Sequence, residues 1–190
     1  MSTMSVDDEI TYEEFGRRFF EIAVTEERVG DAIGDIAGDA FEMGPIAQGP
    51  GKIAKVTARV RIQKPNVKRT VGPLITFAIR IPLEIDMVVD LRIDKPKFMV
   101  FGEIALRATA RAAEPLLLIL DVEKPRSSDI SIHVTSKSLR GEVVRVLGGI
   151  DAEIRRFIAA HVAGEIDSPE SQKAKIINVA NMIDETWTGV

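Results

Sequence analysis

The sequence predicts an α+β fold: a long, strongly curved antiparallel sheet wrapped around a long C-terminal amphipathic helix, with additional N-terminal helices. Three observations lead to it. From Phe77 to Ile93 every odd position is apolar. Beyond the turn Asp94-Lys95-Pro96-Lys97, the stretch 98–111 resumes the two-residue period. From Leu139 to Val162 the apolar residues step instead by three and four. Period two marks a half-buried strand and period 3.6 an amphipathic helix. The elements are expected to share one domain over residues 1–190.

Residues 10–42 form the expected N-terminal helical segment. Ile10, Phe15, Phe19, Ile22 and Ala23 fall at helical spacing, with Glu13, Glu14, Arg17 and Arg18 opposite. Val29, Ile33, Ile36 and Phe41 continue the pattern, while Gly30, Gly34 and Gly38 weaken it. Their spacing of four places those glycines along one face, where close packing is open to them. The stretch Gly44 to Gly51 reads as a breaker.

The sheet is expected over residues 52–135. Val56, Ala58, Val60 and Ile62 alternate with Lys55, Thr57, Arg59 and Arg61, and Lys64-Pro65 ends that strand. The next run places Phe77, Ile79, Ile81, Leu83, Ile85, Met87, Val89, Leu91 and Ile93 on one face. At ~3.3 Å per residue it extends for roughly 55 Å, well beyond an ordinary strand. Phe98, Val100, Gly102, Ile104, Leu106, Ala108 and Ala110 follow as its hairpin partner. Leu116–Leu120 is an unbroken apolar run, and Ile130, Ile132 and Val134 alternate in a last strand.

The long helix is expected over residues 138–166. Leu139, Val143, Val146, Leu147, Ile150, Ile154, Phe157, Ile158, His161 and Val162 form its apolar face, with Gly148-Gly149 as a bend. Ser168-Pro169 then opens a closing helix over residues 169–187, patterned by Ile176, Val179, Ala180, Ile183 and Trp187.

Composition excludes whole classes of chemistry. The chain has no cysteine, so disulfides, thiol catalysis and Cys-ligated metals are out. His133 and His161 are its two histidines, too few for a His-rich metal site. Aromatics make up 5% of the residues, with one Trp and one Tyr, which disfavours base stacking. Charge is uneven: residues 1–51 carry 3 bases and 12 acids, 52–111 carry 13 and 5, and 112–190 carry 9 and 12. Either an acidic helix shares a solvated surface with basic strands, or the basic face approaches anionic headgroups. The acidic, polar start carries no readable targeting signal and no stretch is long enough for a membrane helix. A soluble, cytoplasmic protein is expected.

No catalytic constellation emerges. Glu84, Asp86 and Asp90 share a strand face, but they alternate with Arg80 and Arg92 and read as an ion-pair ladder. Gly44, Gly49 and Gly51 fit neither a P-loop nor a dinucleotide fingerprint. The chain is therefore expected to need no metal and no cofactor, to bind no nucleic acid, and not to be an enzyme. Beside the basic turn, Lys95, Lys97, Met99 and Phe101 combine positive charge with apolar bulk. They are the candidate membrane contacts, with burial under a helix or partner as the alternative.

These long strands and the long helix together resemble the tubular lipid-binding (TULIP) superfamily, which includes bactericidal/permeability-increasing-like and SMP domains. The resemblance is architectural, covers roughly residues 50–165, and rests on the strands 77–93 and 98–111, the run Pro115–Val122 and the helix Leu139–Val162. It implies non-enzymatic binding or transport of a lipid or fatty-acid-like hydrophobic ligand in a tunnel between sheet and helix, often as a dimer. The expected lining is Phe77, Ile79, Ile81, Leu83, Ile85, Met87, Val89, Phe98, Val100, Ile104 and Leu106 from the sheet, with Val143, Leu147, Ile150, Ile154 and Phe157 from the helix. Two other readings stand beside it. One is an interaction or assembly protein with a filled core and an apolar homodimer interface. The other is a helix-grip-type module for a small ligand.

Overall fold

The computed structural model describes residues 9–52, 54–134 and 141–188, with residues 50, 134, 141–148 and 188 in backbone only. The chain is α+β, as predicted, and the sheet is antiparallel, strongly curved and half-barrel-like.

Two capped helices open the described chain. Helix α1 is Tyr12–Ala23, and the Thr11 hydroxyl accepts the Glu14 N–H at its start. Helix α2 is Glu26–Ala37, capped in the same way by Thr25 over Arg28 N–H. They differ in what they bury. Helix α1 buries no residue fully, whereas α2 buries Val29, Ile33 and Ile36. The glycine spacing of α2 finds its reason here: a Cβ at Gly30 would lie 3.4 Å from Val67, and one at Gly34 would lie 3.8 Å from Pro65.

The helical segment ends earlier than the predicted residue 42. Gly38 turns the chain at φ 71°, and Phe41 belongs to strand β1, Ala40–Gln48. The stretch read as a breaker is thus largely strand. Gly44 and Pro45 are accommodated because β1 is an edge strand whose register shifts between Met43 and Ile46. Gly44 is obligatory there: it sits at φ +101°, and a Cβ would meet the Val56 carbonyl oxygen at 2.4 Å.

Strands β2 (Ala54–Ile62), β3 (Asn66–Val71), β4 (Ile75–Asp90), β5 (Lys97–Ala113), β6 (Leu117–Val122), β7 (Ile130–Val134) and β8 (Ile176–Asn178) complete one eight-stranded sheet. Its frame is the predicted hairpin of β4 and β5, in register from Ile75 opposite Ala110 to Val88 opposite Lys97. Each long strand has two successive partners along its outer edge. Strand β4 pairs first with β3 and then with β2, while β5 pairs first with β7 and then with β6. The hairpin therefore runs through two half-sheets, β1-β2-β4-β5-β7 and β3-β4-β5-β6-β8.

Strand β3 was not predicted, and the closing helix over 169–187 is divided in three: α4 (Pro169–Ala174), β8, and α5 (Val179–Thr188). Leu120 N–H donates to the Lys175 carbonyl and Val179 N–H to the Leu116 carbonyl, so the end of β6 claims the segment between them. The predicted strand face also ends early. Leu91 and Ile93 lie beyond β4, and Ile93 is 99% exposed in the turn.

Helix α3, Gly141–Asp167, runs for about 40 Å. Its Ile150, Ile154, Ile158, Val162 and Ile166 join the odd-numbered face of β4 and the buried face of α2 in a single apolar cluster. Its C-terminus is capped from below, where Lys175 Nζ and Gln172 Nε2 both donate to the Ile166 carbonyl. The first residues of the predicted helix, 138–140, lie outside the described residues.

Candidate functional site

Alternation aims the predicted lining inward, and the structure places it there. Ile81, Ile85, Val89, Val100 and Ile104 are 0% exposed; Ile79, Leu83 and Met87 are 1%, and Phe77, Ile150 and Ile154 are 2%. Leu106 is buried and Phe98 partly so. A side chain bordering a water-wide channel keeps surface that a water-sized sphere can reach. Those described keep almost none. Phe157 stands apart, half exposed and stacked on Phe41 at 6.3 Å between ring centroids. The side chains of Val143 and Leu147 lie outside the described residues.

Open apolar surface lies elsewhere, at the end of the molecule carrying β6 and β8. Helix α5 presents Val179, Met182, Ile183, Thr186 and Trp187, a full helical stripe at steps of three and four. Helix α1 faces it with Phe19, Ile22 and Ala23, and Leu118 and Ile177 form the floor. Between them runs a groove of about 590 Å³, within the range of ligand sites. Its walls are uncovered: Ile22 is 71% exposed, Met182 57% and Trp187 81%. Contiguous apolar exposure of this kind marks a place of contact.

One cation borders the groove. Arg28, at the start of α2, donates from Nη1 to the Ile22 and Ala23 carbonyls and so closes the C-terminus of α1. Among the described residues it pairs with no carboxylate, so the carbonyl end of α1 is its partner at one end of an apolar trough. The Arg69 guanidinium secures the same corner, donating to the Glu21 and Val24 carbonyls.

The remaining candidates have structural partners. Arg61 bridges Glu84 and Asp86 at 3.0 and 3.2 Å, Arg80 pairs with Glu103, and Lys95 holds Asp90 at 3.0 Å. Glu84, Asp86 and Asp90 are ion-paired as expected, but by Arg61 of β2 and Lys95 of the turn, while Arg80 of their own strand turns to Glu103 of β5. Lys95, with Arg92 N–H, keeps the Asp90 carboxyl below its ordinary pKa. His161 packs on Phe41 at 3.9 Å, and His133 is exposed on β7. Lys97, Met99 and Phe101 are exposed on one face of β5. Among the described residues no group of three or more His, Asp or Glu could hold a metal, and no helix is long and apolar enough to cross a membrane.

The groove escaped sequence reasoning because amphipathic spacing shows that a helix has an apolar face, but not whether anything covers it. The fold and groove define an α+β protein with a bent antiparallel sheet, a buried aliphatic cluster and an open apolar trough. No protein-family model matches the sequence, and no curated protein matches it either.

Proposed function

We propose that the chain is a non-enzymatic binding protein for a lipid or fatty-acid-like ligand, held in the groove between α1 and α5. The observation that carries this reading is the groove itself: about 590 Å³, walled by aliphatic and aromatic side chains and bordered by Arg28. An aliphatic chain replaces water along Ile22, Met182 and Ile183, which is favourable by roughly 25 cal/mol per Å² of apolar surface covered. A carboxylate or phosphate head then lies by Arg28, where a charge-assisted hydrogen bond fixes the ligand's direction. Arg28 and Thr186 are the polar side chains of the lining, a set that orients a ligand but offers no acid–base pair.

The reading keeps the ligand class that the tubular lipid-binding resemblance implies and moves the site from the concavity to the surface. Around the core, the bent sheet closes on α3, a role supported by the full burial of Ile154 and Ile158.

Calorimetric titration with a long-chain fatty acid and with the alcohol of equal length tests the proposal. The acid binds, the alcohol binds more weakly, and Met182→Glu binds neither. Equal affinity for acid and alcohol would remove Arg28 from the site. No binding of either, together with a concentration-dependent rise in mass that Met182→Glu abolishes, would make the groove a self-association face instead.

A further inference from the structure

We propose that the end of the molecule away from the groove docks end-on against an anionic lipid bilayer, with Ile93 as the side chain that enters it. This end is where two turns meet. Lys55 of β2 lies opposite Asp90 of β4, so the β1–β2 turn stands beside the β4–β5 turn. Strand β4, 16 residues and about 50 Å along its path, runs from within the half-sheet that carries the groove to this end.

Charge and shape both distinguish it. Among the described residues five bases, Lys52, Lys55, Arg92, Lys95 and Lys97, gather there with two acids, Asp90 and Asp94. Asp90 accepts from Arg92 N–H and pairs with Lys95 Nζ, and Asp94 accepts from Lys95 N–H. Among the described residues Lys52, Arg92 and Lys97 pair with no carboxylate. Amid this positive charge Ile93 is 99% exposed, in a position where it contributes nothing to the core. An aliphatic side chain on a basic tip suits the headgroup boundary, where the cations meet anionic lipid and the side chain leaves water. Helices α1 and α2, with seven acids and three bases between them, lie at the distant end. That asymmetry turns the basic end toward a negative surface.

End-on docking separates the four predicted membrane contacts. Lys95 and Lys97 belong to the docking end. Phe101 lies four residues along β5 from Lys97, about 13 Å behind it and beyond the depth of interfacial insertion. Ile93, read from the sequence as part of the buried face, takes the central role instead.

Co-sedimentation with vesicles tests this, comparing phosphatidylcholine alone with phosphatidylcholine containing phosphatidylserine. The protein binds the mixed vesicles, more weakly as salt is raised, and leaves the neutral ones in suspension. Ile93→Ser weakens binding roughly tenfold, and Lys97→Gln about fivefold. Phe101→Ser and Ile183→Asp bind as the parent does, and equal melting temperatures for Ile93→Ser and the parent show that the fold is kept. Equal binding to both vesicles, binding to neither, or undiminished binding by Ile93→Ser overturns the proposal. Loss with Ile183→Asp but not with Ile93→Ser also overturns it, by assigning the membrane to the groove. Fatty-acid binding in the groove is read separately and stands or falls alone.

Discussion

The concavity of the sheet and the groove between α1 and α5 are built from the same aliphatic side chains, and they differ in what lies over them. On the concave side the odd positions of β4 fall to between 0 and 6% exposed and share one apolar cluster with residues of α2 and α3. Over the groove nothing comparable lies among the described residues: α1 has no fully buried residue, and Met182, Ile183 and Trp187 of α5 remain open. Apolar surface stabilises a fold only when it leaves water. The interior side chains therefore hold the molecule together, while those of the groove are available to a ligand.

The largest expected effect follows directly. Ile81→Ala removes fully buried methyl groups and lowers stability by about 2–5 kcal/mol. Met182→Ala, at a 57% exposed position, stays within about 0.5 kcal/mol. Urea unfolding of the two variants checks this, and similar losses would break the distinction. Next comes the edge that closes the interior. Gly44→Ala forces a side chain onto a positive φ and against the Val56 carbonyl, and costs about 1–3 kcal/mol in the same assay.

Helix caps sharpen the contrast further. Thr25→Ala uncaps α2, which covers the core, and lowers global stability by about 1 kcal/mol. Thr11→Ala uncaps α1 and costs less, and hydrogen exchange should register the change mainly within residues 12–23.

Acid has the mildest effect. Arg17, then Arg18, hydrogen-bond Glu14 and bring its pKa down from 4.5 to about 2. A depressed carboxyl stabilises the fold above its unfolded value, and that contribution disappears as pH falls between 4.5 and about 2. Acidification through that window loosens α1 before the core, and amide exchange along α1 follows it. Loss of core protection at the same pH would contradict the separation.

Much of this architecture was legible in the sequence, because burying one face of a long strand leaves a two-residue signature. That is why β4 and β5 were read with ends only a few residues out. Strand β3 was hidden by its composition: as an edge strand it carries Asn66, Lys68, Arg69 and Thr70, with Val67 and Val71 too sparse to show a period. Strand β8 was hidden by context, since Ile176 and Ile177 fit a helical stripe until the end of β6 offers them hydrogen bonds. At the site, alternation correctly aimed Ile81 and Ile85 inward, but a side chain that fills a core and one that lines a tunnel give the same pattern. The groove depended on the relative placement of α1 and α5, which no local period encodes.

Trp187 is the chain's single tryptophan and stands 81% exposed on the groove wall, so its fluorescence reports the central claim directly. Titrated with a long-chain fatty acid, its emission shifts to shorter wavelength and saturates, and Ile183→Asp abolishes the shift. A ligand that raises the melting temperature while Trp187 emission stays unchanged would place the site in the interior and contradict this account.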